Sequence, residues 1–261
     1  MRLKPKKRLG QNFLIDKNII GKILNACAFG PSDNILEIGP GRGELTQEMA
    51  ERVANLWAVE IDPGLCDILK ESLRQYNNVK IIRQDILKYD PGDYFKQAGR
   101  KIKVIGNIPY YISSPIIEYL LKYRDQIEDI FLTVQKEFAT RVIASAGSKD
   151  YGSFSCFARY FTQPDILFSI KKTCFYPVPK VDSAFLRLKI REKPYLKSKQ
   201  EEVLFKIIRA AFSQRRKTLR NSLKAIMPAG KLEGFFLKYK IDPDSRPEKL
   251  TLQDFIDLSL F

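Results

Sequence analysis

Between residues 31 and about 145 the chain alternates short β-branched runs with stretches whose apolar residues recur at helical spacing. Asn34–Ile38, Leu56–Ile61, Val79–Arg83, Lys103–Gly106 and Ile130–Val134 predict strands. Glu44–Val53, Leu65–Gln75 and Pro115–Lys122 predict the helices between them, the last opened by a proline as a first helical turn tolerates. Such alternation predicts a parallel, doubly wound sheet. Ile166–Ile170 and Ala184–Ile190 read as two further strands on either side of a proline-rich loop, and they predict an antiparallel edge.

Past Lys193-Pro194, which reads as a linker, the pattern becomes helical. Val203, Leu204, Ile207, Ile208, Ala211 and Phe212 fall on one helix face, and Leu219–Ile226, Leu232–Tyr239 and Thr251–Leu258 predict three more helices. Thr251 with Asp254 resembles a capping box. The predicted organisation is a basic N-terminal arm and first helix (1–30), an α/β domain of Rossmann type (31–192) and a small all-helical domain (193–261).

The composition, 44% hydrophobic and 29% charged over 261 residues, is that of a globular protein. No apolar run approaches the ~20 residues that span a bilayer, and no secretory signal is legible, so a cytoplasmic protein without membrane contact is expected. Cys27, Cys66, Cys156 and Cys174 are widely spaced and histidine is absent, which argues against disulfides, structural zinc and any His-dependent nucleophile. The formal charge of +15 is uneven. Residues 1–30 carry seven basic and one acidic residue, and residues 191–240 carry fourteen and four, so these two blocks hold all the excess. Each can be a solvated face; together, flanking a nearly neutral middle, they point to a polyanion such as nucleic acid.

Candidate chemistry falls at the ends of successive predicted strands. Ile35-Leu-Glu-Ile38 runs into Gly39-Pro-Gly-Arg-Gly43, where glycines permit positive φ and close approach of a ligand. The spacing is G-x-G-x-G, not the dinucleotide G-x-G-x-x-G, which favours a cofactor without a pyrophosphate. Glu60 closes the next strand, placed to accept from ribose hydroxyls, and Asp85 follows the third, placed to accept from an adenine amine. An adenosine-bearing cofactor fits this set.

The fourth strand ends in Gly106-Asn-Ile-Pro-Tyr110, which is either an ordinary Asn-Pro turn or a reaction centre. It resembles the N-[L/I]-P-Y motif of amino-group methyltransferases. An adenine amine is a weak nucleophile because its lone pair is conjugated with the ring. The Asn107 side-chain carbonyl and the Ile108 backbone carbonyl can accept its two hydrogens and favour the tetrahedral geometry of the transition state. Pro109 would fix the turn, and Tyr110 offers a face for an extruded base.

Lys7-Arg-Leu-Gly-Gln-Asn-Phe-Leu14, Glu37-Ile-Gly-Pro-Gly-Arg-Gly-Glu-Leu-Thr46, Asn107-Ile-Pro-Tyr110, Val134-Gln-Lys-Glu137, Phe175-Tyr-Pro-Val-Pro-Lys-Val-Asp-Ser183 and Ala211-Phe-Ser-Gln-Arg-Arg-Lys-Thr-Leu-Arg-Asn-Ser222 together resemble the rRNA adenine N6,N6-dimethyltransferase family, in its small-subunit (16S) branch. The resemblance implies a class I methyltransferase fold and dimethylation of two adjacent adenosines in the 3′-terminal hairpin loop of small-subunit rRNA, within an immature ribosomal subunit, by a monomer. It implies S-adenosylmethionine as cofactor, held by Gln11, Asn12, Leu14, Gly39, Gly41, Glu60, Ile61, Asp85, Ile86 and Asn107. It places Phe175 against the target base opposite Tyr110. The two basic blocks offer Lys6, Lys7, Arg8, Arg215, Arg216, Lys217 and Arg220 to rRNA phosphates, with solvation of the surface as the alternative for some of them. Ile108 stands where leucine is commoner, a change confined to a side chain that the chemistry does not use. Methylation of large-subunit (23S) rRNA and a non-catalytic role in ribosome assembly are the alternatives; a DNA adenine methyltransferase is disfavoured because no separate target-recognition domain is evident.

Overall fold

The alternating pattern folds into strands and helices in a computed structural model that describes residues 5–192, 195–214 and 217–261. The strands are β1 (Phe13–Leu14), β2 (Asn34–Ile38), β3 (Asn55–Glu60), β4 (Val79–Arg83), β5 (Ile102–Asn107), β6 (Ile127–Gln135), β7 (Thr162–Ile170), β8 (Phe175–Tyr176) and β9 (Ser183–Ile190). The α-helices are α1 (Lys17–Cys27), α2 (Glu44–Ala50), α3 (Pro63–Ser72), α4 (Gly92–Ala98), α5 (Ser113–Leu121), α6 (Lys136–Ile143), α7 (Ser153–Phe161), α8 (Ser198–Phe212), α9 (Leu219–Leu223), α10 (Ala229–Tyr239) and α11 (Leu252–Leu260).

Seven strands form one sheet in the order β4-β3-β2-β5-β6-β9-β7. The pairs β2–β3, β3–β4, β2–β5 and β5–β6 are parallel, and β9 runs antiparallel to β6 from Asp129↔Lys189 to Gln135↔Ser183. This is the Rossmann-like architecture of class I methyltransferases, with the antiparallel edge that the pattern predicted. Every residue of β2 is buried, as a central parallel strand covered on both faces requires. From β2 the chain winds outward to β4, then crosses back to β5 on the other side of β2. A crevice therefore opens between the carboxyl ends of β2 and β5, where open α/β sheets bind ligands.

One face of the sheet is covered by α1 and α2 through Ile20, Ile23, Leu24, Leu45 and Met49, which join Ile35, Ile105, Phe131 and Phe185 in one core. Asp16 caps α1 by accepting from Asn18 and Ile19. A separate two-stranded ladder pairs β1 with β8, Phe13 opposite Tyr176 and Leu14 opposite Phe175. Helix α5 starts two residues before Pro115, which still lies in the first turn, where a missing N–H costs no intrahelical bond.

Contacts divide the chain into two units, Met1–Ala139 with Asp165–Ile190, and Thr140–Pro164 with Arg191–Phe261. These differ from the predicted boundaries: residues 5–30 belong with the sheet, and residues 140–164 belong with the C-terminal helices. The reason is aromatic packing within the second unit, where Phe157 and Phe161 of α7 meet Phe205 of α8 with ring centroids 5.5 Å apart in each pair. Thr251 and Asp254 form the predicted capping box of α11. Lys193 and Pro194, the predicted linker, lie outside the described residues. Among the described residues, no helix is long and apolar enough to cross a membrane.

Candidate active site

The turn after β2 is built from glycines for two reasons. Gly39 and Gly41 have φ of +66° and +61°, a region that strains other residues. A Cβ on Gly41 would also lie 3.0 Å from the ring of Phe13, so a side chain there would push against the first strand. Gly39 N–H donates to the Val59 carbonyl at 2.9 Å, tying the turn to β3.

Glu60 ends β3 and is 4% exposed. Its Oε2 accepts from Gly41 N–H at 3.2 Å and its Oε1 from Asp62 N–H at 2.9 Å. Burial raises its pKa, and these backbone donors pull it partly back. The carboxylate thus links the β2–α2 and β3–α3 loops while retaining lone pairs for a ligand. Asp85, half-buried after β4, accepts from Leu87 N–H at 3.0 Å and caps the short turn Ile86–Lys88. Ile61, exposed, and Ile86, buried, supply apolar surface beside the two carboxylates.

Asn107 ends β5. Its Nδ2 donates to the Asn12 carbonyl at 2.8 Å, so the amide nitrogen is committed and the side-chain carbonyl is left as the acceptor. Ile108 is 2% exposed and its side chain is apolar, so its backbone carbonyl is the only acceptor it can offer. Pro109 holds φ at −59°, and the Tyr110 hydroxyl meets Ser183 Oγ at 2.7 Å, which fixes the ring. Burial raises the Tyr110 pKa, and the bond to Ser183 opposes it, so the phenol stays neutral.

Glu60, Asp85, Asn107 and the glycine turn line one cavity that is partly open to solvent. Every predicted cofactor position, from Gln11 to Asn107, lines it, as do Ile108, Pro109 and Tyr110. The fit to a nucleoside cofactor is chemical as well as spatial: a buried and a half-buried carboxylate after two strand ends, a glycine turn at positive φ, and apolar flanks between them.

Other expectations are corrected. Phe175 is 1% exposed and does not line the cavity; it packs in the core with Leu14, Ile20, Leu24 and Cys174. Its neighbour in β8, Tyr176, is the exposed aromatic at 51%. Lys6 is not free for phosphate: its Nζ lies 2.6 Å from Asp62 Oδ1. Gln11 lines the cavity, but its Nε2 donates to Asp62 Oδ2 at 3.1 Å and its Oε1 accepts from Lys6 N–H at 2.7 Å. Arg220 pairs with Glu233 at 3.2 Å on a half-exposed surface, whereas Arg8 and Lys217 are exposed. Arg215, Arg216 and the Lys7 side chain lie outside the described residues.

Sequence reasoning also missed Glu37. It lines the cavity at 2% exposure, its Oε2 has no hydrogen-bond partner among the described residues, and burial pushes its carboxyl up to about 8. The signal was present, since an acid inside Ile-Leu-Glu-Ile interrupts an otherwise apolar buried strand.

The family model for ribosomal RNA adenine dimethylase matches residues 2–261. Ribosomal RNA small subunit methyltransferase A of Caldanaerobacter subterraneus subsp. tengcongensis is 41% identical over 260 residues, 98% of this chain and 97% of that protein. The protein of the same name from Geobacillus thermodenitrificans is 42% identical over 263 residues, 97% and 89% of the two chains. Among solved structures, a dimethyladenosine transferase from Plasmodium falciparum superposes with a TM-score of 0.82 at 26% identity, covering 94% of this chain and 95% of that one. The 23S rRNA methyltransferase ErmE superposes with a TM-score of 0.75 at 27% identity, covering 96% and 100%.

Proposed function

The chain belongs to the ribosomal RNA adenine dimethylase family, and from that premise we propose that it places two methyl groups on N6 of each of two adjacent adenosines in the 3′-terminal hairpin loop of small-subunit rRNA. It is an S-adenosylmethionine-dependent rRNA adenine dimethyltransferase acting on 16S rRNA. The small-subunit choice is supported by relatives at 41% and 42% identity, against 27% for the large-subunit enzyme.

S-adenosylmethionine, when bound, supplies an electrophilic methyl group on a sulfonium. Glu60 would accept from its ribose hydroxyls and Asp85 from its adenine amine, with Ile61 and Ile86 on the faces of the adenine. The observation that carries the catalytic reading is the bond from Asn107 Nδ2 to the Asn12 carbonyl. It turns the Asn107 carbonyl into an oriented acceptor beside the Ile108 carbonyl, so that two fixed acceptors meet the two hydrogens of the substrate amine. Such preorganised acceptors gain strength as the nitrogen becomes tetrahedral, and no side-chain base is needed because the proton leaves an already charged ammonium. Tyr110, held by Ser183, provides the stacking face for a base taken out of its loop.

The sheet-bearing unit is then the catalytic one. The helical unit, through Lys217 and its basic neighbours, would hold rRNA phosphates, with Arg8 doing so from the N-terminal segment; shape and loop bases supply selectivity. The substrate context would be an immature small subunit in the cytoplasm, met by a monomer. Incubation with labelled S-adenosylmethionine and immature small subunits, large subunits or naked rRNA, followed by mapping of methylated adenosines, tests this. Label on adjacent adenosines of small-subunit rRNA is expected; label only in large-subunit RNA overturns the substrate assignment.

A further inference from the structure

Residues 5–14 touch each of the three loops that enclose the cavity. The Phe13 ring lies against Gly41 of the first. Lys6 and Gln11 close on Asp62 of the second, and because Gln11 Oε1 also accepts from Lys6 N–H, the two residues form a closed clasp around one carboxylate. Gly10 packs so tightly on Pro109 and Tyr111 of the third that a Cβ would lie 3.1 to 3.2 Å from them. Within this segment the Asn12 carbonyl receives Asn107 Nδ2.

Asp62 is 2% exposed and does not itself line the cavity. One of its oxygens has an ordinary task, capping α3 by accepting from Gly64 N–H at 3.1 Å. The same oxygen also takes Lys6, and the second takes Gln11, so the ion pair and the second acceptor serve the N-terminal segment. Burial would raise its pKa, yet the bonds from Lys6, Gln11 and Gly64 hold it below the usual carboxylate range, so it stays charged.

We propose that Asp62 is a positioning residue for methyl transfer: by clasping Lys6 and Gln11 it fixes the N-terminal segment, and the Asn12 carbonyl then fixes the Asn107 amide. The role rests on Asn107 being the acceptor for the substrate amine. An Asn side chain can turn over and exchange its oxygen for its nitrogen at little cost in shape. Turned over, Asn107 would present N–H donors to an amine that already carries hydrogens. A backbone carbonyl accepts only, so Asn12 in place selects the productive orientation, and Asn12 displaced releases it.

Asp62→Asn separates the clasp from the helix cap, because Asn caps helices as well as Asp does while losing the charge and the second acceptor. The variant is expected to lower kcat about tenfold, the scale of one charge-assisted hydrogen bond, with KM for RNA within about twofold of the parent. Hydrogen exchange on the RNA-free protein should accelerate across residues 5–14 and remain unchanged in α3. Lys6→Met should act in the same direction, and combining it with Asp62→Asn should add little. Parental kcat with parental exchange in Asp62→Asn overturns the clasp, as does faster exchange centred on α3. Absence of rRNA methylation by the parent protein overturns the premise instead, a result distinguishable because exchange is measured without RNA.

Discussion

Truncating Phe175 to alanine removes a ring that is 1% exposed and belongs to the same buried core as Leu14, Ile20, Leu24 and Cys174. Loss of a fully buried Phe side chain costs about 3–5 kcal/mol, from the lost transfer free energy and the cavity left behind. For a cooperative unit of this size each kcal/mol moves the midpoint of thermal unfolding by roughly 2–4 °C, so a fall of about 10 °C is expected. Circular dichroism melts give the midpoint, and methyl transfer is then assayed well below it, where the variant is folded. Transfer should persist within severalfold of the parent, because the ring does not face the cavity. Tyr176→Ala, at a half-exposed neighbouring position, should leave the midpoint nearly unchanged. A Phe175→Ala protein that melts like the parent but transfers no methyl would refute this reasoning and return Phe175 to the target base.

Asn107→Ala should abolish transfer while leaving affinity for S-adenosylmethionine within about tenfold of the parent, since it removes a contact strengthened only in the transition state; equal losses of both count against the assigned role. Gly41→Ala, which forces a side chain to φ +61° and against Phe13, should weaken cofactor binding by about tenfold in equilibrium titration, a left-handed residue costing roughly 1–2 kcal/mol; unchanged affinity would show that the turn yields. Glu37 has a folded pKa of about 8, above its unfolded value, so the buried carboxyl keeps its proton in the folded state while the unfolded chain loses it. Its contribution to stability is full below the unfolded pKa and is lost as pH rises toward 8. Glu37→Gln should therefore gain on the parent in melting temperature between pH 5 and pH 8, and a constant difference over that range would contradict the assignment.

Strand β2 was legible because it is buried on both faces and reads as an almost continuous apolar run, and the outermost strand β4, only partly buried, through its β-branched Val79, Ile81 and Ile82; both were predicted with their observed ends. Helices α4, α6 and α7 were not. Each has seven to nine residues, and α4 and α7 begin after Pro91 and Gly152 with no side-chain cap. The aromatics of α7 favour strands as readily as helices, and packing within the helical unit decides between them. The cavity was largely legible because Gly39, Glu60, Asp85 and Asn107 each follow a recognisable strand end. The burial of Phe175 was not legible because Phe175-Tyr176 offers two adjacent aromatics, and only tertiary packing determines which one enters the core. Lys6 was misplaced because its partner lies 56 residues away, a pairing that no local pattern encodes.

The pairing of β1 with β8 also sets an order of assembly. The first described segment finds its partners at sequence separations of 56 for Lys6 with Asp62, 95 for Asn12 with Asn107, and 158 for Asp16 with Cys174. Parallel strands β2 and β3 pair over a much shorter loop, and contacts closing short loops form before those closing long ones. During synthesis the amino end emerges first, yet its pairing with β8 cannot form until Tyr176 has left the ribosome. A polypeptide fused to the amino terminus would therefore be carried next to an element that must still search for its place, which favours tagging this protein at its carboxyl end.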